Sequence, residues 1–162
     1  MLVRGFPPIA APDAEILILG SMPGIASLEA GQYYAHPRNA FWPIMGSVFD
    51  AGPKLSYPER LSRLISRKMA VWDVLKVCQR EGSLDADIRE EVSNDFAAFF
   101  AAHPSIRRIG LNGGKAAASF RKHAARDAPG NAQVVLLPST SPAYAALGLE
   151  AKCTLWRDAL TA

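Results

Sequence analysis

The sequence predicts an α/β protein, a three-layer α/β/α sandwich around a central, mostly four-stranded parallel sheet. Three observations lead there. Short apolar runs, EILIL at 15–19, MAVW at 69–72, IRRIGL at 106–111 and QVVLL at 133–137, have the length and composition of buried strands. Helix-periodic segments separate them, and that alternation implies right-handed crossovers with helices on both faces. Each run also ends in a polar or glycine-containing turn, the edge where open α/β sheets place ligands.

The first fourteen residues, MLVRGFPPIAAPDA, read as an irregular arm because Pro7, Pro8 and Pro12 block regular structure. The first strand ends at Leu19. From Gly20 to about Asn39 the apolar period vanishes, yet two tyrosines, a histidine and an arginine remain. A loop of that length is functional or disordered, and its aromatics argue against disorder. Phe41, Met45, Val48 and Phe49 then mark one face of a helix with Pro43 in its first turn, ended by Ala51-Gly52-Pro53. A second helix starts near Pro58 and carries Leu61, Leu64 and Ile65. The second strand ends at Asp73, and 76–87, KVCQREGSLDAD, reads as polar and turn-rich. Ser93 or Asn94 caps a helix bearing Phe96, Phe99 and Phe100, which Pro104 stops. The third strand leads through Asn112-Gly113-Gly114 into a helix reaching Phe120. The fourth ends in Pro138-Ser139-Thr140-Ser141-Pro142, and the last helix lines up Leu149, Cys153, Trp156 and Leu160.

Composition bounds the class. At 162 residues, 49% hydrophobic and 20% charged, the chain fits one globular domain over 1–162. No run is long enough to span a bilayer, and the amino terminus lacks the apolar centre of a secretory signal. Cys78 and Cys153 lie far apart with no metal-ligand spacing, so reduced thiols in a cytoplasmic protein are expected, and an iron–sulfur cluster lacks ligands. A net charge of +3 permits a nucleic-acid partner without requiring one.

Four strand ends carry polar groups: the Gly20–Asn39 loop, Asp73, Asn112-Gly113-Gly114 and Ser139-Thr140-Ser141. Converging on one edge, they make a site. NGGK is not a nucleotide phosphate loop, because the glycine spacing is too short and Ala116 stands where a hydroxyl should bind magnesium. Gly113 and Gly114 instead allow a tight turn into a helix. Ser21, Ser139 and Ser141 lack a nucleophile elbow. His36 has no second ligand at helical spacing, so no metal site is expected, and His103 and His123 read as surface or capping residues.

GSMPG, YYAHPRNAFW, WDVLKVCQREGSLDADI, LNG and LPSTSPA, in that order at strand ends, resemble the uracil-DNA glycosylase superfamily, and within it most closely the hypoxanthine-DNA (deoxyinosine) glycosylase branch. The resemblance runs from about Glu15 to the last helix. It implies the α/β/α fold already read from the pattern. It also implies a damaged-DNA partner and a repair reaction, hydrolysis of the bond between a deaminated base and deoxyribose after base flipping. No metal or organic cofactor is implied, and a monomer is expected.

The resemblance carries roles onto particular residues. Many relatives have an Asp or Asn in the first motif where Met22 stands here; the hypoxanthine branch shares this lack and uses an Asn further along, matched by Asn39. An amide takes no proton at neutral pH, so Asn39 would orient water or hydrogen-bond the departing base. As a residue before a helix it could equally be a cap for Phe41. Tyr34 matches the aromatic on which the base stacks, while Tyr33 suits a core position. His36 supports the loop or the base. Asp73 replaces an edge-reading Asn: a carboxylate accepts from N1–H of hypoxanthine or N3–H of uracil and repels the N1 acceptor of adenine. Asp73 could instead cap a turn. Asn112 joins the base-binding set.

Relatives often place a catalytic His or Asn where Ser139 stands. Ser139 and Ser141 therefore suit a phosphate grip, with Pro142, Ala143 and Tyr144 as the duplex wedge. Arg38, Arg80 and Lys115 are candidates for backbone contacts. Lys115 is also the lysine to check, since without an amine nucleophile the reaction is monofunctional. Two rivals stand beside this reading: a catalytically silent damaged-DNA-binding module, and a hydrolase of free nucleosides. A uracil or mismatch-specific glycosylase is the alternative within the family.

Overall fold

The computed structural model describes residues 1–161. In chain order it forms β1 (Leu2–Arg4), β2 (Ile16–Gly20), α1 (Ile25–Ala30), α2 (Phe41–Phe49), α3 (Tyr57–Ser66) and β3 (Met69–Asp73). Then come β4 (Leu75–Gln79), β5 (Arg89–Ser93), α4 (Phe96–Ala102), β6 (Arg108–Asn112), α5 (Gly114–His123), β7 (Gln133–Leu137) and α6 (Leu149–Thr161). The central sheet is parallel, in the order β3-β2-β6-β7, and helices flank it as the alternation predicts.

β2 and β3 are buried along their whole length, which is why they read as continuous apolar runs rather than alternating ones. Leu17, Ile18 and Leu19 are fully buried, each such side chain contributing roughly 1.5–3 kcal/mol. α2 and α6 pack together through Phe41 and Trp156, whose rings lie 6.1 Å apart edge to face. On β3, Trp72 meets Phe96 and Phe99 of α4 at 5.1 and 4.8 Å.

Register places the carboxyl ends of the strands flush. Gly20 pairs with Asp73, Leu19 with Leu111 and Asn112 with Leu137. The chain leaves β2 toward β3 on one side and β6 toward β7 on the other, so the switch point of the sheet falls between Gly20 and Asn112. A crevice opens at such a point because the two connections diverge over opposite faces.

Several elements differ from expectation. The arm is not irregular throughout: Leu2–Arg4 pairs antiparallel with β4, with Val3 buried opposite Cys78, because the prolines begin only at Pro7. Residues 76–87 are not all turn. β4 pairs with β5 as well, and register shifts in that pair, together with the exposed Arg89 and Glu90 of β5, erase the alternation that would mark strands. The loop after Gly20 contains α1, a helix whose only buried residue is Ser27 and which therefore shows no apolar stripe. Helix α4 is capped by Asp95, not Ser93 or Asn94: its Oδ1 accepts from Ala98 N at 3.0 Å. On α6, Leu149 is half exposed and Lys152 is buried beside Trp156 and Leu160, its ammonium donating to the Tyr144 carbonyl at 2.8 Å.

Candidate active site

At the switch point lies a cleft of about 640 Å³. Met22, Tyr34, His36, Asn39, Asp73, Asn112, Ser139, Ser141, Pro142 and Tyr144 all line it. Arg38 is exposed on the same loop but is not among the lining residues.

Tyr34 anchors the slot. Its backbone is left-handed (φ 54°), a conformation an aromatic residue adopts only when its surroundings impose it. The following amide, Ala35 N, donates to Ser27 Oγ at 3.1 Å, which gives the otherwise stripe-less α1 a purpose. The Tyr34 ring stacks on Phe41 at 4.1 Å, and its Oη accepts from Asn112 Nδ2 at 3.2 Å. Burial, with the Asp73 carboxylate next, pushes the phenol well above its ordinary range, so it remains an OH. Tyr33 is the core tyrosine: it is buried, donates from Oη to the Pro7 carbonyl, and accepts from Trp42 Nε1 at its own carbonyl.

Asp73 ends β3 beside Gly20. It is only 4% exposed, and its Oδ2 has no hydrogen-bond partner among the described residues. Burial, reinforced by the charge of Asp85 and offset by Arg80, raises its carboxyl to about 7. A buried acceptor without a partner is costly and rare in folded proteins. A Cβ on Gly20 would lie 2.5 Å from Asp73 Oδ1 and 2.7 Å from Tyr34 Oη, so the bare backbone of that strand end lets the carboxyl and phenol share one slot.

Asn39 sits one residue before Ala40, the N-cap of α2, and braces the entrance to that helix. Its Oδ1 accepts from Phe41 N at 3.0 Å, which assigns the amide orientation, since only the oxygen can meet that N–H. The Nδ2 donors are left for the cleft. His36 Nδ1 accepts from Arg38 N at 3.1 Å, so the neutral ring carries its proton on Nε2.

The serine loop is laced to both neighbouring strand ends. Thr140 N donates to Asn112 Oδ1 at 3.0 Å, Asn112 Nδ2 to Thr140 Oγ1 at 3.0 Å, and Ala40 N to the Thr140 carbonyl at 2.9 Å. With Tyr34 counted as well, both Asn112 donors are engaged, so this amide braces the slot. Ser139 Oγ accepts from Ser141 N and Ser141 Oγ from Ala143 N, each at 3.2 Å, leaving both hydroxyl protons to donate. Gly113, at φ 94°, lets the chain turn against Ser139 where a Cβ would come within 3.0 Å.

The family model of the Uracil DNA glycosylase superfamily matches residues 7–160. The chain belongs to the uracil DNA glycosylase superfamily. Two relatives are named Hypoxanthine DNA glycosylase. The one from Methanosarcina barkeri is 40% identical over 116 residues, 71% of this chain and 73% of its own. The one from Methanosarcina acetivorans is 39% identical over 117 residues, 72% and 74% of the two chains. A solution NMR structure of a candidate uracil DNA glycosylase from Methanosarcina acetivorans superposes with a TM-score of 0.80 at 32% identity over 98% of both chains. The superfamily and branch expected from the motifs are the ones found.

In this uracil DNA glycosylase fold the structure adds groups that sequence reading did not single out. Asp85 lines the cleft and accepts from Ser21 Oγ at 2.6 Å across 64 positions. Thr140, almost fully buried, is the hub of the loop lacing. No spacing rule picks Asp85 over Asp87 in the same run; only the fold does. Arg80, expected at the DNA backbone, is buried instead, its guanidinium donating to the carbonyls of Gly82 and Pro23. Lys115 lines the cleft, but its ammonium is held by Glu91 at 2.5 Å.

Proposed function

We propose that the chain is a monofunctional DNA glycosylase. It hydrolyses the N-glycosidic bond of deaminated bases, hypoxanthine first and uracil second, after flipping the nucleotide into the cleft. The observation that carries this reading is the unpartnered, buried Asp73 Oδ2 in a slot shared with Tyr34. The names of the two Methanosarcina relatives agree with it.

The flipped base stacks on the Tyr34 face not covered by Phe41 and presents its edge to Asp73. The ionised carboxylate accepts from N1–H of hypoxanthine or N3–H of uracil. Adenine brings a lone pair to the same spot and leaves two buried acceptors facing each other, which is how a polar pocket rejects by large factors. As the glycosidic bond lengthens, negative charge builds on the base, and the Asn39 Nδ2 donors, oriented by the Oδ1–Phe41 bond, stabilise it. One well-placed donor of this kind is worth roughly 3–4 kcal/mol.

Ser139 and Ser141 donate to a phosphate flanking the lesion, Pro142 to Tyr144 fill the space the base leaves, and exposed Arg38 meets the backbone. The pairing of Lys115 with Glu91 removes it as an amine nucleophile, in keeping with hydrolysis by water.

Oligonucleotides holding a single deoxyinosine, deoxyuridine or deoxyxanthosine test the proposal in a gel assay after alkaline cleavage of abasic sites. The expected order of rates is deoxyinosine above deoxyuridine. Tight binding with no abasic product from any of them would replace the reading with the silent binding module, and turnover of free deoxyinosine alone would point to nucleoside hydrolysis.

A further inference from the structure

We propose that Asp85 is the carboxylate that orients and deprotonates the attacking water, supplying from the β4–β5 connection the acid that the loop after β2 lacks at Met22. The role rests on the glycosylase reading above and adds a named residue to it.

Elimination among the cleft-lining groups comes first. Asn39 and the serines do not take a proton at neutral pH. His36 has its one acceptor nitrogen on Arg38 N, and Lys115 is paired with Glu91. The lining carboxylates among the described residues are Asp73 and Asp85. Two carboxylates in one site divide their roles by environment. Asp73 is buried and unpartnered, suited to the base edge. Asp85 lines the same cleft but is exposed, so it is open to solvent.

Asp85 is also positioned. Ser21 Oγ donates to its Oδ1, which leaves Oδ2 for water, and Ser21 directly follows Gly20, the residue against which Asp73 and Tyr34 meet. The charge of Asp85 is felt at both Asp73 and Tyr34, so all three share one field. The connection that bears it is pinned at two further points. Buried Arg80 ties Gly82 to Pro23, and Ile25 N donates to Ser83 Oγ at 2.9 Å. These anchors act on a connection of nine residues, 80–88, of which 81–87 are exposed.

The step balances simply. The water oxygen bonds to C1′ as the bond from C1′ to the base nitrogen breaks, and that electron pair leaves with the base. The water proton passes to Asp85 Oδ2 and then to solvent, and the base anion takes a proton from solvent.

Asp85→Asn tests it, because the amide oxygen still accepts from Ser21 and the loop keeps its anchors. Single-turnover cleavage of a deoxyinosine duplex is expected to slow by about 10²- to 10³-fold, with Kd for that duplex within about threefold of the parent. Asp85→Ala is expected to be as slow and to regain part of its rate with added sodium formate. Asp85→Asn cleaving within threefold of the parent protein, a loss confined to Kd, or failure of formate to restore any rate to Asp85→Ala would each overturn the role while leaving the glycosylase reading intact. A parent protein without activity on any of the three lesions overturns both.

Discussion

Asn112 Nδ2 holds Tyr34 Oη at 3.2 Å across the switch point of the sheet, joining the end of β6 to the loop that follows β2. The same amide fixes Thr140 through two further bonds, so ring, strand end and serine loop are tied together. If Tyr34 stacks a base as proposed, its ring is held in place before the nucleotide arrives, which lowers the ordering cost of binding.

Tyr34 variants separate ring from hydroxyl. Tyr34→Ala is expected to weaken binding of a deoxyinosine duplex by about 1–3 kcal/mol, the worth of one stacked base. Tyr34→Phe keeps the ring and loses only the Asn112 bond, so its Kd is expected to stay within about fivefold of the parent, a neutral hydrogen bond being worth about 1 kcal/mol. Fluorescence anisotropy checks both. Equal Kd for parent and Tyr34→Ala would remove the stacking role.

Gly20→Ala places a methyl between Asp73 Oδ1 and Tyr34 Oη. Both neighbours are side-chain ends that can give way, so the protein is expected to fold. The slot is not expected to survive, and kcat/KM for deoxyinosine DNA should fall at least about tenfold, the consequence of small misplacements in a preorganised site. Unchanged kcat/KM would show that the base does not lie there.

Asp73 is expected to destabilise the fold above neutral pH. Its carboxyl sits at about 7 in the folded chain against an ordinary 3.8, so the folded state holds the proton more tightly. The stability penalty is absent below about pH 4, grows as pH rises, and is fully present above about 7. At ~1.4 kcal/mol per pKa unit it is on the order of 4 kcal/mol at most. Asp73→Asn, which cannot ionise, is expected to melt about 5 °C or more above the parent at pH 8 and to converge with it near pH 4. A constant difference at both pH values would contradict the buried charge. In the proposed base-reading role, this penalty is the stability given up for a buried acceptor, a trade between stability and function.

Asn39 has a capping bond and free donors, and two variants part them. Asn39→Ala loses the Phe41 cap, worth about 1 kcal/mol, and the donors, so a melting point lower by about 2–4 °C and turnover lower by about 10²- to 10³-fold are expected. Asn39→Asp keeps the oxygen and is expected to melt like the parent while losing turnover. Near-normal turnover of either would return Asn39 to capping alone.

What the sequence made legible follows from physics of two ranges. β2, β3 and β6 announced themselves because both their faces are covered. β7, the edge strand with Val134 and Leu136 exposed, was legible from its apolar run alone, which begins and ends where the strand does. The strand ends were readable as a site because polarity changes abruptly at Gly20, Asp73, Asn112 and Pro138. Hidden features are those decided by distant partners. α1 buries only Ser27, and β5 is largely exposed, so neither leaves a period to detect. Lys152 is buried on α6 only because the Tyr144 carbonyl receives its ammonium. Arg80 looked like a surface cation until its guanidinium was seen fastening two loop carbonyls. Asp85 gains its place from Ser21, and no local pattern carries that information.

The most direct measurement is a crystal structure of the protein with a duplex carrying a non-hydrolysable deoxyinosine analogue. The account predicts an extrahelical base stacked on Tyr34, with N1 within about 2.7–3.2 Å of an Asp73 carboxyl oxygen. A base that remains in the duplex, or one that enters the cleft with its N1 edge turned away from Asp73, would contradict it.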